Sequence, residues 1–353
     1  MRKIYLSLAL LLGTVLMLSG CERPSVQKAQ SGFRGTAMAN IQNPRINAEN
    51  DKLNELPAST GPISGDGPKA SEVYQNVKVL GNLSQAQFTT FMVSMTNWVS
   101  PKEGCSYCHN VANFAEDSKY TKIVARRMVQ MNQNINANWK DHVQGTGVTC
   151  YTCHRGNNIP QNVWFKDIPQ NVSGTALGQR NGQNSPAKSV GYSSLTNEPF
   201  SKYLLENNPA RIQGKDGLPN GNKHSIQETE NVYGIMMHFS KSLGVNCTYC
   251  HNSRAFSDWS QSTPQRAQSW YAIQMVKDIN NTYMEPLTST FPAHRLGGTG
   301  DVAKSNCLTC HQGANKPLYG KSMLADYPYL ATQYSESKVT ETKTTEAVVA
   351  SMK

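Results

Sequence analysis

Apolar residues recur at helical spacing in four stretches of the chain, each ahead of a pair of cysteines. The predicted helices cover residues 84–99, 118–139, 229–243 and 263–283. Ser84 is a candidate N-cap of the first helix, and Thr263 followed by Pro264 is a typical start for the fourth. No run of alternating apolar and polar residues predicts a strand, so the pattern indicates a mainly α fold.

The stretches around these helices are rich in Pro, Gly, Asn, Gln and Ser and predict loops. The N-terminal part up to residue 80 is expected to run extended over the surface. The tail, rich in Thr, Glu, Lys and Ser, is expected to be disordered. We therefore divide the chain into a leader (1–20), an extended segment (21–80), a first half (81–156), a connecting segment (157–225), a second half (226–334) and a tail (335–353).

The N-terminus carries an export signal. Arg2 and Lys3 precede an apolar run over residues 4–18, and the box Leu-Ser-Gly-Cys that follows ends at Cys21. A short transmembrane anchor is the alternative, but about fifteen apolar residues are marginal for crossing a bilayer. The box is typical of a bacterial lipoprotein and predicts cleavage before Cys21, lipidation of its thiol and a membrane tether.

Composition excludes several classes of protein. The 353 residues are 38% hydrophobic with a mean hydropathy of -0.52, and no second long apolar run exists, which excludes a polytopic membrane protein. The formal charge is +10, yet no basic run is interleaved with aromatic residues, so nucleic-acid binding is not expected. The low apolar content predicts a thin side-chain core for this length.

The other eight cysteines form four copies of the motif C-x-x-C-H, which attaches c-type haem. The predicted thioether cysteines are Cys105 and Cys108, Cys150 and Cys153, Cys247 and Cys250, and Cys307 and Cys310. The predicted proximal iron ligands are His109, His154, His251 and His311. A redox or zinc-binding cysteine pair explains one copy but not four that use every remaining cysteine. Four covalent haems would also supply apolar volume, and their roughly eight propionates would offset the positive charge.

The four motifs form two pairs. The first and third share Cys-[Ser/Thr]-Tyr-Cys-His-Asn, with Phe114 and Phe256 at the same distance downstream. The second and fourth share Thr-Cys-His-x-Gly. The period runs from Cys105 to Cys247, which predicts two pseudo-symmetric dihaem halves produced by duplication.

The sixth ligand of each iron distinguishes an electron carrier from an enzyme, because an enzyme leaves that position open to substrate. Candidate ligands upstream of the motifs are Met92 and Met95, Met128 and Met131, Met236 and Met237, Met275 and Met284, and the non-proximal histidines His142, His224, His238 and His294. A methionine on a helix face usually fills the core. The repeated placement ahead of three motifs favours ligation here, although the residues alone do not decide within each pair.

Several stretches resemble the tetrahaem cytochrome subunit of purple-bacterial photosynthetic reaction centres, over roughly residues 76–329. These stretches are Phe91-Met92, Trp98-Val99-Ser100-Pro101, Glu103-Gly104-Cys105, Val124-Ala125-Arg126-Arg127-Met128, Leu243-Gly244-Val245-Asn246-Cys247, Ser262-Thr263-Pro264-Gln265-Arg266 and Thr309-Cys310-His311-Gln312-Gly313. The tail beyond residue 334 departs from the resemblance.

The resemblance implies which candidates bind iron. It implies Met92 as the sixth ligand of haem one, Met128 of haem two and Met236 of haem three. It implies that His142 crosses over to haem four, and that Arg266 lies near haem three on the side that faces the special pair. The remaining methionines and His294 are then packing or surface residues, and a lipidated Cys21 fits the family.

The resemblance also implies the function: an electron carrier, not an enzyme, at the periplasmic face of the photosynthetic inner membrane. Such a subunit re-reduces the photo-oxidised bacteriochlorophyll special pair, with haem three nearest the pair and haems four, two and one behind it. The implied partners are the reaction-centre L and M subunits, with the H subunit and light-harvesting 1 antenna in the wider complex. A soluble c-type cytochrome or a high-potential iron–sulfur protein would be the donor.

Two other functions stay open from the residues alone. A multihaem oxidoreductase acting on a nitrogen oxide would need an iron without a strong distal ligand and a pocket of acid–base residues. A free periplasmic tetrahaem shuttle would need no membrane partner.

Overall fold

The computed structural model describes residues 24–30, 39–166, 187–193, 198–212 and 226–332. Within these ranges the chain is mainly helical, with one two-stranded sheet. The helices are α1 (Pro44–Leu53), α2 (Ala70–Val73), α3 (Gln85–Val99), α4 (Tyr120–Asn138), α5 (Lys140–Val143), α6 (Cys150–His154), α7 (Phe200–Leu204), α8 (Ile226–Leu243), α9 (Pro264–Asp278) and α10 (Cys307–His311). The leader, Cys21, the tail and much of the connecting segment lie outside the described residues.

The predicted helix starts with capping residues are confirmed. The Ser84 hydroxyl accepts from the backbone N–H of Gln87 at the start of α3, and the Gln87 side chain returns to the Ser84 backbone. Helix α9 begins at Pro264 after Thr263, as predicted. It ends at Asp278, earlier than predicted, because the chain continues as a π-helical turn over Ile279–Met284.

The N-terminal segment, expected to be extended, contains regular structure. Strands β1 (Gln27–Gln30) and β2 (Ala39–Gln42) pair in antiparallel fashion, although the sequence predicted no strand. Helix α1 follows at once, because the Asn43 side chain caps it and Pro44 occupies its first turn. The two strands are extended and β1 is exposed, whereas the helix α1 was not predicted. The strands carry too few apolar positions to show a period.

The hairpin is bonded to the third haem motif. The backbone N–H of Asn246 donates to the Asn40 side chain at 3.1 Å, and the Thr248 hydroxyl donates to the carbonyl of Ala39 at 2.9 Å. These contacts fix the N-terminal segment against residues from the other end of the chain.

Two clusters of buried side chains hold the helices together. One contains Ile135 of α4, Leu204 of α7, Ile235 of α8 and Ile273 of α9, so it joins the two predicted halves. The other surrounds the fully buried Phe91 of α3 and reaches the C-terminal part of the described chain. No helix among the described residues is long and apolar enough to cross a membrane.

One backbone contact occurs twice at matching positions. The N–H of Gly156, just after α6, donates to the carbonyl of Trp98 in α3 at 2.8 Å. The N–H of Gly313, just after α10, donates to the carbonyl of Ser242 in α8, also at 2.8 Å. Trp98 follows Met92 by the same number of residues as Ser242 follows Met236. The contact between α3 and α6 therefore corresponds to the contact between α8 and α10.

Candidate haem-binding site

Each cysteine motif forms a short helical turn. Motifs two and four are α6 and α10, and the threonine before the second cysteine stabilises the start of each turn. The hydroxyls of Thr152 and Thr309 accept from the backbone N–H of Thr149 and Asn306, each at 3.0 Å. Motifs one and three are single 3₁₀ turns, over Gly104–Tyr107 and Cys247–Tyr249.

All four histidines predicted as proximal ligands are oriented by the same type of hydrogen bond. Each Nδ1–H donates to a backbone carbonyl a few residues downstream: His109 to Phe114 (3.1 Å), His154 to Asn157 (2.8 Å), His251 to Phe256 (2.9 Å) and His311 to Ala314 (2.8 Å). Because Nδ1 carries the proton, Nε2 presents its lone pair and can bind a metal. Burial also lowers the pKa of each imidazole, that of His311 to about 4, which keeps the ligating neutral form.

A cavity of about 840 Å³ connects three of the four motifs. Its walls include Met92 with His109, Met128 with His154, and His142 with His311, so the structure brings these predicted residues together. The third motif and Met236 do not line this cavity. Met236 is half-buried against the cluster that joins α4, α7, α8 and α9.

His142 and His311 come from opposite parts of the chain and lie close together. Their ring centroids are 6.0 Å apart with an interplanar angle of 58°. The Nδ1–H of His142 donates to the carbonyl of Gln268 at 3.2 Å, which leaves its Nε2 unprotonated. A metal–nitrogen bond is about 2 Å long, so two imidazoles on either side of one metal ion have centroids roughly 6 Å apart. The spacing fits an iron between them.

The other candidates divide between the cavity and the surface. Met95, Met131, Met275 and Met284 also line the cavity, and Met275 is buried in the inter-helix cluster as well. Met237 does not line the cavity, and His294 is exposed. His238 is fully buried, with Nδ1 donating to the carbonyl of Ser189 at 2.7 Å and Nε2 lying 3.3 Å from the Ser242 hydroxyl, so both of its nitrogens are engaged. His224 lies outside the described residues.

The cysteines do not form a chelating metal site. All eight in the motifs are free of disulfides, and among the described residues no group of three or more His, Cys, Asp or Glu side chains could hold a metal ion. Burial raises the pKa of the Cys150 and Cys307 thiols to about 12, so both thiols are neutral at physiological pH. The Sγ atoms of Cys153 and Cys310 lie 2.7 Å apart, because α6 and α10 pack against each other.

Arg266 lies in the first turn of α9, which follows the loop after the third motif. Its guanidinium stacks 4.0 Å from the Trp259 ring centroid and donates to the Ser262 hydroxyl at 2.8 Å. Lys122 is a buried residue that contacts the corresponding loop after the first motif, and it was not among the predicted site residues. A charged residue on a helix is usually exposed, so its position in the sequence gave no signal of burial.

Free thiols in C-x-x-C-H turns, oriented neutral imidazoles and methionines around a shared cavity define a c-type cytochrome with covalently bound haem. A family model described as "Photosynthetic reaction centre cytochrome C subunit" matches residues 22–331. The chain belongs to this family. It is therefore an electron-transfer subunit associated with the photosynthetic reaction centre.

Three curated relatives carry the same description, photosynthetic reaction center cytochrome c subunit. The one from Rubrivivax gelatinosus is 54% identical over 315 residues, which are 89% of this chain and 86% of the relative. That from Thermochromatium tepidum is 49% identical over 316 residues, 89% of this chain and 78% of the relative. That from Roseobacter denitrificans is 41% identical over 317 residues, 86% of this chain and 85% of the relative.

Proposed function

We propose that this chain holds four c-type haems in a row and re-reduces the photo-oxidised bacteriochlorophyll special pair. Each bound haem supplies a one-electron ferric/ferrous couple. The observation that carries the proposal is the facing pair His142 and His311, which the cavity joins to the sites of motifs one and two. A chain that fills both axial positions transfers electrons and leaves no site for a substrate.

The proposed axial pairs are those that the family resemblance implies. They are His109 with Met92, His154 with Met128, His251 with Met236, and His311 with His142. The first, second and fourth pairs line the shared cavity. A thioether ligand raises the potential of a haem relative to a second imidazole, so the fourth site is the low-potential one.

The proposed order of sites is one, two, four, three. The contact between α6 and α10, with the Sγ atoms of Cys153 and Cys310 at 2.7 Å, supports the adjacency of sites two and four. The matched contacts from Gly156 and Gly313 support two pseudo-symmetric dihaem halves.

At the third site, the proposed exit to the special pair, Arg266 is proposed to stabilise the reduced haem. The indole of Trp259 beneath its guanidinium is exposed, as is Phe256, so this end of the chain offers an aromatic surface to a partner. Arg266→Leu should lower the potential of haem three and slow special-pair re-reduction. Arg254→Leu is the matched control, since it removes the same charge from an exposed position in the loop that precedes α9. Equal effects of the two variants would remove Arg266 from this role.

The proposed partners are the L and M subunits, with the H subunit and the light-harvesting 1 antenna around them. A soluble c-type cytochrome or high-potential iron–sulfur protein refills the row from the first site. Acylated Cys21 would tether the chain to the periplasmic face of the inner membrane. Mass spectrometry of the mature protein should show this acylation and no residues 1–20; an unmodified Cys21 with the leader retained would contradict it.

The decisive experiment is purification of the protein from photosynthetic membranes. We expect it to co-purify with bacteriochlorophyll-containing complexes, to carry four haems per chain, and to be oxidised after a flash as the special pair is re-reduced. Recovery in the soluble fraction without bacteriochlorophyll would support a free periplasmic shuttle instead. A high-spin haem with an open sixth position would support an oxidoreductase.

A further inference from the structure

The backbone carbonyls of the loop after the first haem motif accept hydrogen bonds from one buried ammonium group. Lys122 of α4 is 7% exposed, and its Nζ donates to three successive carbonyls, those of Phe114 (2.8 Å), Ala115 (2.9 Å) and Glu116 (2.9 Å). The Asp117 carboxylate lies 3.1 Å from the same nitrogen. A lysine is rarely buried unless its charge is paired, and here four oxygen atoms replace its water.

One of these carbonyls has a second donor. The oxygen of Phe114 accepts from Lys122 Nζ and from the Nδ1–H of His109 at 3.1 Å. The direction of this carbonyl therefore sets the direction of the His109 ring. The loop residues on either side have no regular secondary structure to hold the oxygen in place.

We propose that Lys122 is a positioning residue for His109: by fixing the Phe114 carbonyl it sets the orientation and hydrogen bonding of the proximal imidazole of haem one. A ligating histidine is tuned by the acceptor of its other nitrogen. This inference rests on the proposed ligation of haem one by His109 and adds the residue that controls the acceptor.

The third motif provides an internal comparison. Its loop repeats the contact from His251 to the Phe256 carbonyl, and the Thr263 hydroxyl donates to the Tyr249 carbonyl as the Thr121 hydroxyl does to Tyr107. The residue after Thr121 is Lys122, whereas the residue after Thr263 is Pro264, which has no side-chain donor. The hydrogen bonds from the Lys122 ammonium group to the loop carbonyls thus distinguish the first site from the third.

The test compares Lys122→Met with Lys78→Met in the four-haem protein. Lys78 pairs with the same Asp117 carboxylate at 3.4 Å through a side chain that is 62% exposed, so its variant removes a nearby positive charge while Lys122 keeps its carbonyl contacts. Two readouts apply: hydrogen exchange of the loop over residues 110–117, and the EPR g-values of ferric haem one at a poised potential.

We expect Lys122→Met to speed exchange in the loop at least tenfold and to shift the g-values of haem one, with the other three haems unchanged. Lys78→Met should leave both readouts near wild type. Faster exchange with unchanged g-values would reduce Lys122 to a loop-stabilising residue and overturn the proposal. Equal effects of the two variants would also overturn it, because charge alone would then be the cause.

If Lys122→Met fails to retain haem, Lys122→Gln replaces it, since a neutral amide can still donate to two carbonyls. It should give a smaller shift of the same g-values; g-values identical to wild type would overturn the proposal. A wild-type protein whose first haem lacks a histidine ligand would instead refute the proposed ligation, while the exchange measurement would still report on the loop.

Discussion

The imidazole of His142, from the short helix α5, faces the imidazole of His311, from α10, at a centroid distance of 6.0 Å. Each ring is oriented through its Nδ1, by the carbonyl of Gln268 and of Ala314 respectively. Both Nε2 atoms therefore carry a free lone pair. The pair joins the N-terminal and C-terminal parts of the chain at one site.

His142→Met should raise the potential of haem four, because a thioether favours ferrous iron more than an imidazole does. We expect a shift on the order of 100 mV, a fraction of the roughly 0.8 V that axial ligands span. Redox titration of the four haems measures it. His294→Met is the control, since His294 is exposed and should leave all four potentials in place. A shift confined to another haem would refute the assignment of His142.

Met128→His should produce the opposite change at haem two. The added imidazole donates more strongly and stabilises ferric iron, so this potential should fall on the order of 100 mV. The control is Met131→Leu, which alters a methionine packed against the inter-helix cluster. If titration gave equal effects for the two variants, Met128 would be a packing residue.

The contact between Cys153 and Cys310 predicts a specific route between sites two and four. The helices α6 and α10 pack against each other with these two cysteines in contact, so the haem edges that they carry should approach each other there. Cys153→Ala should slow electron exchange between haems two and four severalfold, measured by flash spectroscopy on protein that retains four haems. Cys150→Ala removes the other thioether of the same haem, away from the contact, and should leave this rate nearly unchanged. Equal slowing in both variants would argue against the route.

A buried ion pair near the fourth motif predicts a stability effect. Lys304 is fully buried, and its Nζ lies 2.5 Å from Asp301 and 3.1 Å from Glu285. Breaking a buried pair by removing one partner costs about 3–5 kcal/mol. Lys304→Met should therefore lower the free energy of unfolding by that amount, with a smaller loss when Asp301→Leu is added. An unaltered unfolding midpoint in denaturant would contradict this.

The same aspartate makes stability depend on pH. Burial raises the pKa of Asp301, but hydrogen bonds from Lys304, Thr299 and the backbone N–H of Lys166 outweigh it and place the pKa below its usual value. A depressed carboxyl pKa contributes stability above the unfolded value of about 4 and loses it as the pH falls through the folded value. Thermal unfolding below pH 5 should show this loss, and Asp301→Asn should lessen it. Parallel curves for the two proteins would exclude Asp301 as the cause.

Local signals in the sequence predicted the parts of the fold that depend on near neighbours. Ser84 with Gln87, and Thr263 with Pro264, encode helix starts within a few residues, and the structure has both. The spacing within each C-x-x-C-H motif likewise predicted that its two cysteines and its histidine lie together in one short turn.

Contacts between residues that are far apart in the sequence could not be predicted from such local signals. The meeting of His142 with His311 depends on how α5 packs against α9, which no residue near His142 encodes. The π-helical turn after α9 is held by Asn280, whose amide donates to the carbonyls of Leu204 and Ser305, and both lie far away in sequence. Lys122 was missed because a charged residue on a helix is usually exposed.

The hairpin formed by β1 and β2, which is bonded to the third motif, lies only a short stretch of chain after the predicted lipid anchor at Cys21. Five residues lie between Cys21 and the first residue of β1, Gln27, and the six residue steps that join them reach about 20 Å in a fully extended chain. With acyl chains on Cys21, the hairpin, and with it the third motif, would remain within roughly that distance of the lipid surface. The lipid anchor would then both attach the protein to the membrane and orient it, because it would hold the third motif at the end of the molecule nearest the lipid surface.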